Sequence, residues 1–290
     1  MRITIFFAAL LLAACSSIDM FEEAPHQRGY FQRADITKSS GIAASRKQAG
    51  VFWTINERGG QPVVYALDET GRDLGSFLVQ GAGNEDWESL TIGACVLPPW
   101  RDCLYIGDTG DNNRRRSKVR VYHFPEPSVT STQSAEGVNY HLPITYTDYA
   151  HDAEGMYMMP GGGLGLISRG RNGEVAIYTV GSDDWGTGIG KAERTMVLFD
   201  RVRSIEERVT GAALSGDGRA LAVLTYTDLY IFPTDRRTGL PTTNIPTRIC
   251  DLRPLGLQQS EAVTWIPGRR NELLITSTGQ FGQVARVTCG

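Results

Sequence analysis

Apolar positions along this chain come in short runs rich in β-branched and aromatic residues. VFWTINE, PVVYALD, CLYIGD, VRVYHF, LGLIS, VAIYTV, ALAVLTYT, DLYIF and ELLITS are separated by Gly, Pro, Asp and Asn. Runs of this kind predict strands bounded by turns. No stretch keeps an apolar period of 3.6 residues long enough to predict a substantial amphipathic helix. The expected fold class is all-β.

The runs also recur in units. Ser40-Gly41-Ile42, Glu88-Ser89-Leu90, Glu154-Gly155-Met156, Thr210-Gly211-Ala212 and Glu261-Ala262-Val263 each open an apolar strand, and their middle positions lie 48, 66, 56 and 51 residues apart. A repeat of roughly 40 to 50 residues points to a propeller, each unit being one four-stranded blade. A more polar fourth strand can be placed in the first four units: LGSFLVQ, YHLPITY, RTMVLFD and TRICDL. The fifth unit reaches Gly290 after only EAVTWIP, ELLITS and QVARVTC. Its missing outer strand is expected from GYFQRADI, ahead of the first unit, so that pairing of the two chain ends closes the ring and removes an open edge. The expectation is a single β-propeller over residues 29–290 with five four-stranded blades. The longer second spacing also accommodates a six- or seven-bladed count.

In a propeller the first strands line the central channel, and the loops entering them share a face with the loops that join second to third strands. One mouth therefore gathers Glu88, Glu154 and Glu261, with Ser40 and Thr210 in the two remaining places. Residues at the ends of the second strands join them: Asn56, Glu57, Asp108, Asp111, Asn112, Asn113, Arg169, Arg171 and Thr227. Convergent carboxylates repel one another unless protons, arginines or a cation compensate. Calcium suits such a site because it accepts many oxygen ligands in flexible geometry. GDTGDNN adds oxygen donors, without the spacing of an EF-hand. The structural alternative is that each glutamate caps backbone N–H groups of a neighbouring blade or pairs with Arg58, Arg169 or Arg171.

Other chemistry is less well supplied. His151 and Asp152 are candidates for a base and its orienter, although adjacent residues of a strand face opposite ways. Four histidines without an H-x-x-x-H pair, and no cysteine cluster, argue against zinc. The absence of G-x-S-x-G argues against an ordinary serine esterase. Trp53, Trp87 and Trp265, in or beside first and second strands, read as core between blades.

The chain has 290 residues, 41% of them hydrophobic, which is ample for a sizeable core. A formal charge of -3 and a pI near 5.9 give no ground for a nucleic-acid partner, and NNRRR near residue 114 reads as a solvated loop. MRITIFFAALLLAACSS combines a basic residue, an apolar run too short to span a bilayer comfortably, and small residues before a cysteine. Residues 1–14 are expected to be a signal peptide. Leu12-Ala13-Ala14-Cys15 resembles the bacterial lipobox, which implies cleavage before Cys15, a diacylglyceryl thioether on its sulfur and a membrane anchor. Residues 15–28 then form the lipidated tether. Ser16 in place of Asp favours, by the sorting rule of enteric bacteria, the outer membrane, with the domain facing the periplasm. Four cysteines remain in an oxidising compartment. Cys95 and Cys103 flank a turn-like segment and are expected to bridge it, leaving Cys250 and Cys289 to pair by elimination.

SGIAASRKQAGVFWTINERGGQPVVYALDETG, EDWESLTIG followed by LYIGDTGDN, VYHFPEP and DAEGMYM together resemble secreted bacterial β-propeller proteins of the TolB-like or esterase-like-phytase kind. The resemblance covers most of the chain after the tether. Where that group is expected to carry an Asn-Asp-Ser-Gly-like turn, this chain has Asn56-Glu57-Arg58-Gly59. Two functions are compatible with these features. One is a cell-envelope binding or scaffold lipoprotein whose propeller face engages a protein, peptide or glycan. The other is a calcium-dependent hydrolase of lactonase or phosphoesterase type with its site in the central funnel.

Overall fold

The structure, a computed structural model, describes residues 28–96, 102–130, 135–137 and 140–290. The expected signal peptide, the lipid attachment at Cys15 and the tether up to residue 27 lie outside the described residues. Arg28, assigned to the end of the tether, already begins a strand.

Strand β1 (Arg28–Tyr30) precedes the first antiparallel meander, β2 (Ser39–Ala44), β3 (Phe52–Asn56), β4 (Val63–Leu67) and β5 (Asp73–Gln80). The second contains β6 (Trp87–Ala94), β7 (Asp102–Asp108), β8 (Val119–Pro125) and, after the short β9 (Ala135–Gly137), β10 (Tyr140–Tyr146). The third is β11 (Ala153–Met158), β12 (Leu164–Ser168), β13 (Val175–Val180) and β14 (Gly190–Phe199), with a single helical turn α1 (Asp184–Thr187) before its last strand. The fourth is β15 (Val209–Leu214), β16 (Ala220–Thr225), β17 (Asp228–Pro233) and β18 (Arg248–Asp251). The last is β19 (Ser260–Trp265), β20 (Glu272–Ser277) and β21 (Gln283–Thr288), completed by β1 from the other end of the chain. The pairing is antiparallel, with Arg28 opposite Ala285 and Tyr30 opposite Gln283. The chain ends close the fold, as the unfinished last unit predicted.

The first strands β2, β6, β11, β15 and β19 pack against one another in sequence, and β19 returns to β2. The fold is a β-propeller. Its hydrophobic core is divided among the gaps between neighbouring meanders. Trp53, Phe77, Trp87 and Ile106 fill the first gap, Tyr105, Val121, Met156 and Tyr178 the second, Tyr157, Ile177, Val223 and Phe232 the third. Leu224, Ile231, Leu273 and Val287 fill the fourth, and Phe31, Ile42, Phe52 and Leu274 the gap where the ring closes. Each sheet is thus covered on both faces, which is why β2 and β12 are buried along their whole length and their sequences do not alternate cleanly.

Two features of the outer strands go beyond the expected pattern. β10 and β14 pair in parallel, joining the second and third meanders into one eight-stranded sheet. β9 adds in parallel to β5. Both expected disulfides are present, Cys95 with Cys103 and Cys250 with Cys289, at Cα separations of 5.0 and 5.9 Å. The second ties the outer strand of the fourth meander to the end of β21.

Candidate functional site

The mouth of the propeller is shaped by one irregularity repeated in every first strand. Register slips between Ser39 and Gly41, Trp87 and Ser89, Ala153 and Gly155, Val209 and Gly211, and Ser260 and Ala262. The residues bypassed are Ser40, Glu88, Glu154, Thr210 and Glu261. A bulge leaves one residue out of the ladder and re-aims its side chain. The recurring position is therefore a set of side chains released at equivalent points around one axis.

The two hydroxyl-bearing members face the next meander. Ser40 Oγ donates to the carbonyl of Trp87 at 2.8 Å, and Thr210 Oγ1 donates to that of Ser260 at 2.7 Å. Between the second and third meanders Thr109 takes this role, its Oγ1 donating to the carbonyl of Ala153 at 2.8 Å. Glu88 is relieved of it.

The glutamates divide into two electrostatic environments. Glu154, 2% exposed, is paired with Arg169, whose second terminal nitrogen donates to the hydroxyl of Tyr226. Arg171 donates to Asp152 and to Oδ1 of Asn112. Glu88, 3% exposed, and Glu261, 8% exposed, have no ion pair and no N–H donor among the described residues. Carboxylate oxygens of Glu88, Asp152 and Glu154 lie within 4.8 Å of one another, and so do those of Glu57, Asp86 and Glu88. Glu88 belongs to both groups. Asp86 is 5% exposed and its Oδ1 has no hydrogen-bond partner, the Nε of the exposed Arg58 standing 3.9 Å away.

Burial raises the affinity of these groups for protons. Glu88 is held well above the usual carboxylate range by burial, then by the charges of Glu154, Asp86, Glu57 and Asp152. Glu154 is also raised by burial, although Arg169 opposes the shift. Burial raises Asp86 and pushes Glu261 up to about 8, again against Arg169. The arginines thus neutralise the side of the mouth formed by Asp152 and Glu154, whereas Glu88 has no ion pair among the described residues and its neighbours Glu57 and Asp86 have only the long, exposed contacts of Lys38 at 3.7 Å and Arg58 at 3.9 Å. Oxygens bound about 2.4 Å from a calcium ion stand at most about 4.8 Å apart. The spacing of this second group fits one shared cation.

The other expected site residues are occupied in holding loops. Asn56 Oδ1 accepts from the backbone N–H groups of Thr37 and Lys38 at 3.1 and 3.0 Å, so it fastens the entry to β2 and does not face the acidic group. Asp108 accepts from Arg116 at 2.9 Å and from the N–H of Asp86 at 3.0 Å. Asp111 accepts from the N–H of Arg116 at 2.7 Å. Asp108 fastens the segment that carries Asp86, and Asp111 shapes the loop that leaves β7. The structure separates the side chains of His151 and Asp152. His151 Nε2 lies 3.0 Å from Asp148 and 2.7 Å from the Tyr178 hydroxyl, whereas Asp152 turns to Arg171 and accepts from the N–H of Asp111 at 2.8 Å. Opposite side-chain directions along an extended chain account for the split. Trp53 and Trp87 are fully buried between blades, their indoles donating to Glu126 and to the carbonyl of Gly83.

The sequence reading passed over Asp86 and assigned Asp152 to His151. The signal for both was Asp-x-Glu, present as Asp86-Trp87-Glu88 and again as Asp152-Ala153-Glu154. In an extended chain acids two residues apart point to the same side, and the bulge at each glutamate turns that side to the mouth. Gly110 completes the arrangement, since a Cβ there would stand 2.5 Å from Cγ of Asp86 and 2.7 Å from Oε1 of Glu88.

No family model matches the chain, and no curated protein matches it. Among solved structures the fold is similar to the PQQ-bound form of an aldose sugar dehydrogenase from Streptomyces coelicolor. The TM-score is 0.50 at 10% identity, over 91% of this chain and 98% of that one. It is similar also to a luciferin-regenerating enzyme, with a TM-score of 0.51 at 12% identity, over 91% of this chain and 95% of the other. At these identities the likeness is one of fold.

Proposed function

We propose that this chain is a lipid-anchored β-propeller of the bacterial cell envelope that binds its ligand at the mouth, through a cation held by Glu57, Asp86 and Glu88. The observation that carries this reading is the uneven neutralisation of the mouth. Arg169 and Arg171 pair closely with Glu154 and Asp152, while Glu88 is buried with no ion pair among the described residues and buried Asp86 has only the exposed Arg58 at 3.9 Å. A buried carboxylate lacking compensation costs several kcal/mol, which a bound cation recovers. Calcium is the proposed ion, because three carboxylates leave it positions for oxygens of an incoming glycan or peptide. The lipobox-like Leu12-Ala13-Ala14-Cys15 supports attachment through Cys15, and Ser16 supports the outer membrane, with the propeller in the periplasm.

A second reading is favoured by Glu261. It lacks an N–H partner among the described residues, opens the first strand of the last meander at the same mouth, and is pushed up to about 8, so near neutral pH it can both hold and release a proton. That is the equipment of a calcium-dependent hydrolase acting on a lactone or phosphoester.

Thermal unfolding of the purified protein in chelator, and again with calcium restored, tests the cation. Calcium at 100 times its Kd stabilises the native state by about 2.7 kcal/mol. The melting temperature of the wild type should rise on calcium addition, and that of Glu88→Gln should not. Equal melting curves for the wild type in both conditions would remove the cation from the mouth.

A further inference from the structure

A cavity of opposite charge opens where Arg171, which pairs with Asp152, turns its other side away from the acids. Its volume is about 230 Å³, and Arg171, Arg203, Arg208, Ser204, Gly170 and Gly173 are among its lining residues. Two loops of the mouth form it, the one leaving β12 and the one entering β15. They are tied together by the N–H of Val202 donating to the carbonyl of Gly173 at 2.7 Å and that of Val209 donating to Arg169 at 3.1 Å. Gly170, at φ 90°, lets the first loop turn back over Val202, where a Cβ would stand 2.7 Å from the valine Cγ2.

Three guanidinium groups around one concavity repel each other unless an anion lies among them. Arg171 is engaged with Asp152 on its inner side. Arg203 and Arg208 make no ion pair among the described residues, and the neighbouring acid Glu207 accepts from the backbone N–H of Arg203 at 2.6 Å. Arginine forks match the planar or tetrahedral oxygens of carboxylates and phosphates, and two or more such forks select an oxyanion over a neutral sugar.

We infer that this cavity is an anion subsite of the same mouth, which takes the phosphate or carboxylate group of a soluble ligand. The inference deepens the proposed ligand-binding role and rests on it for the link to the cation. Arg171 supplies that link, since its partner Asp152 shares a group of close oxygens with Glu88 and Glu154. The ligand class is an anionic small molecule or saccharide, its charge placed among the arginines.

Isothermal titration of the purified protein with inorganic phosphate, and with succinate, tests this at constant ionic strength. Chloride serves as the control, and the titrations are run in chelator and then, for succinate, with calcium. Saturable binding is expected, weakened at least tenfold in the double variant Arg203→Ser, Arg208→Ser. The variant should keep the wild-type melting temperature within a few degrees and its response to calcium, because Arg203 is exposed, Arg208 is only half-buried, and neither makes an ion pair among the described residues. Heats matched by chloride, or binding unchanged in the variant, would overturn the subsite. Binding to phosphatidylglycerol vesicles but not to phosphate or succinate would overturn a soluble ligand. The two ideas fail separately. Anion binding with no calcium response rejects the cation alone, and a calcium response without anion binding rejects the subsite alone.

Discussion

The hydroxyl of Ser40 donates to the carbonyl of Trp87 across 2.8 Å, joining the bulge of one first strand to the start of the next. Thr210 repeats the contact with Ser260. A short side chain at the bulge therefore closes the ring, while a glutamate at the same place reaches into the mouth. Ser40→Ala or Thr210→Val removes the donor and leaves a buried carbonyl short of a partner, at a cost of about 1–3 kcal/mol. For a domain of this size that is a fall of roughly 2–10 °C in melting temperature. The fall should be the same with calcium and with chelator, as measured by circular dichroism. A calcium-dependent difference would show that these hydroxyls belong to the ion site.

Arg169 is the principal counter-charge of the mouth, in contact with Glu154 and Tyr226. Arg169→Ala leaves Glu154 buried and unpaired, for which about 3–5 kcal/mol of destabilisation is expected. Adding Glu154→Gln should recover part of it. Urea unfolding of the single and double variants measures the coupling, and strictly additive effects would mean that the pair contributes nothing of its own.

The acids also set a pH dependence. Glu261 has a folded pKa of about 8 against an ordinary value of 4.5, and Glu88 and Glu154 shift in the same direction. A raised carboxyl pKa means that the native state binds more protons than the unfolded chain between those two values. This stabilisation is complete below about pH 4.5 and is lost as pH rises through 8. In chelator, stability should fall between pH 5 and pH 8 by on the order of several kcal/mol if all three carboxyls contribute, seen as a falling melting temperature. Calcium should flatten the slope, and Glu261→Gln should reduce it. A flat profile in chelator would show that these carboxyls are already compensated.

Much of this architecture was legible before any coordinates. YHLPITY coincides with β10, the pairing of β1 with β21 supplies the outer strand missing from the last unit, and both disulfides join the cysteines expected. These follow from local pattern and from the cost of an open edge. Less visible was what depends on a one-residue slip. Alternation alone puts Asp86 on the same side as Glu88, two residues on, but only the bulge releases Glu88 from the ladder into the mouth. Loop residues were the hardest. Asn56, Asp108 and Asp111 carry the oxygens expected of ligands but use them on backbone N–H groups and on Arg116. The choice between a ligand and a loop brace depends on folded neighbours many residues away. The parallel junction of β10 with β14 was equally hidden, because it joins strands of different units.

Gly110 offers a test that leaves every charge in place. A Cβ at this position falls 2.5 Å from Cγ of Asp86 and 2.7 Å from Oε1 of Glu88, so Gly110→Ala must displace one of the two carboxylates. Calcium affinity measured by titration should fall at least tenfold, with the melting temperature in chelator lowered by only a few degrees. Unchanged affinity would place the ion elsewhere in the mouth.

The disulfides differ in what they hold. Cys95 and Cys103 are 8 residues apart and lie within one meander, where β6 and β7 are already neighbours. Cys250 and Cys289 are 39 residues apart and fasten the short β18 to the last residues of the closing meander. Loop-closure entropy assigns about 2.5 kcal/mol to the first and about 4 kcal/mol to the second. The second also restrains the ring near its closure, where the fold depends on β1 returning to β21. Cys250→Ser with Cys289→Ser should therefore lower the melting temperature more than Cys95→Ser with Cys103→Ser. It should also increase hydrogen exchange in β1, β18 and β21, while β6 and β7 stay protected. The reverse order would mean that closure rests on the β1–β21 pairing and the packing of Phe31, without help from the covalent tie.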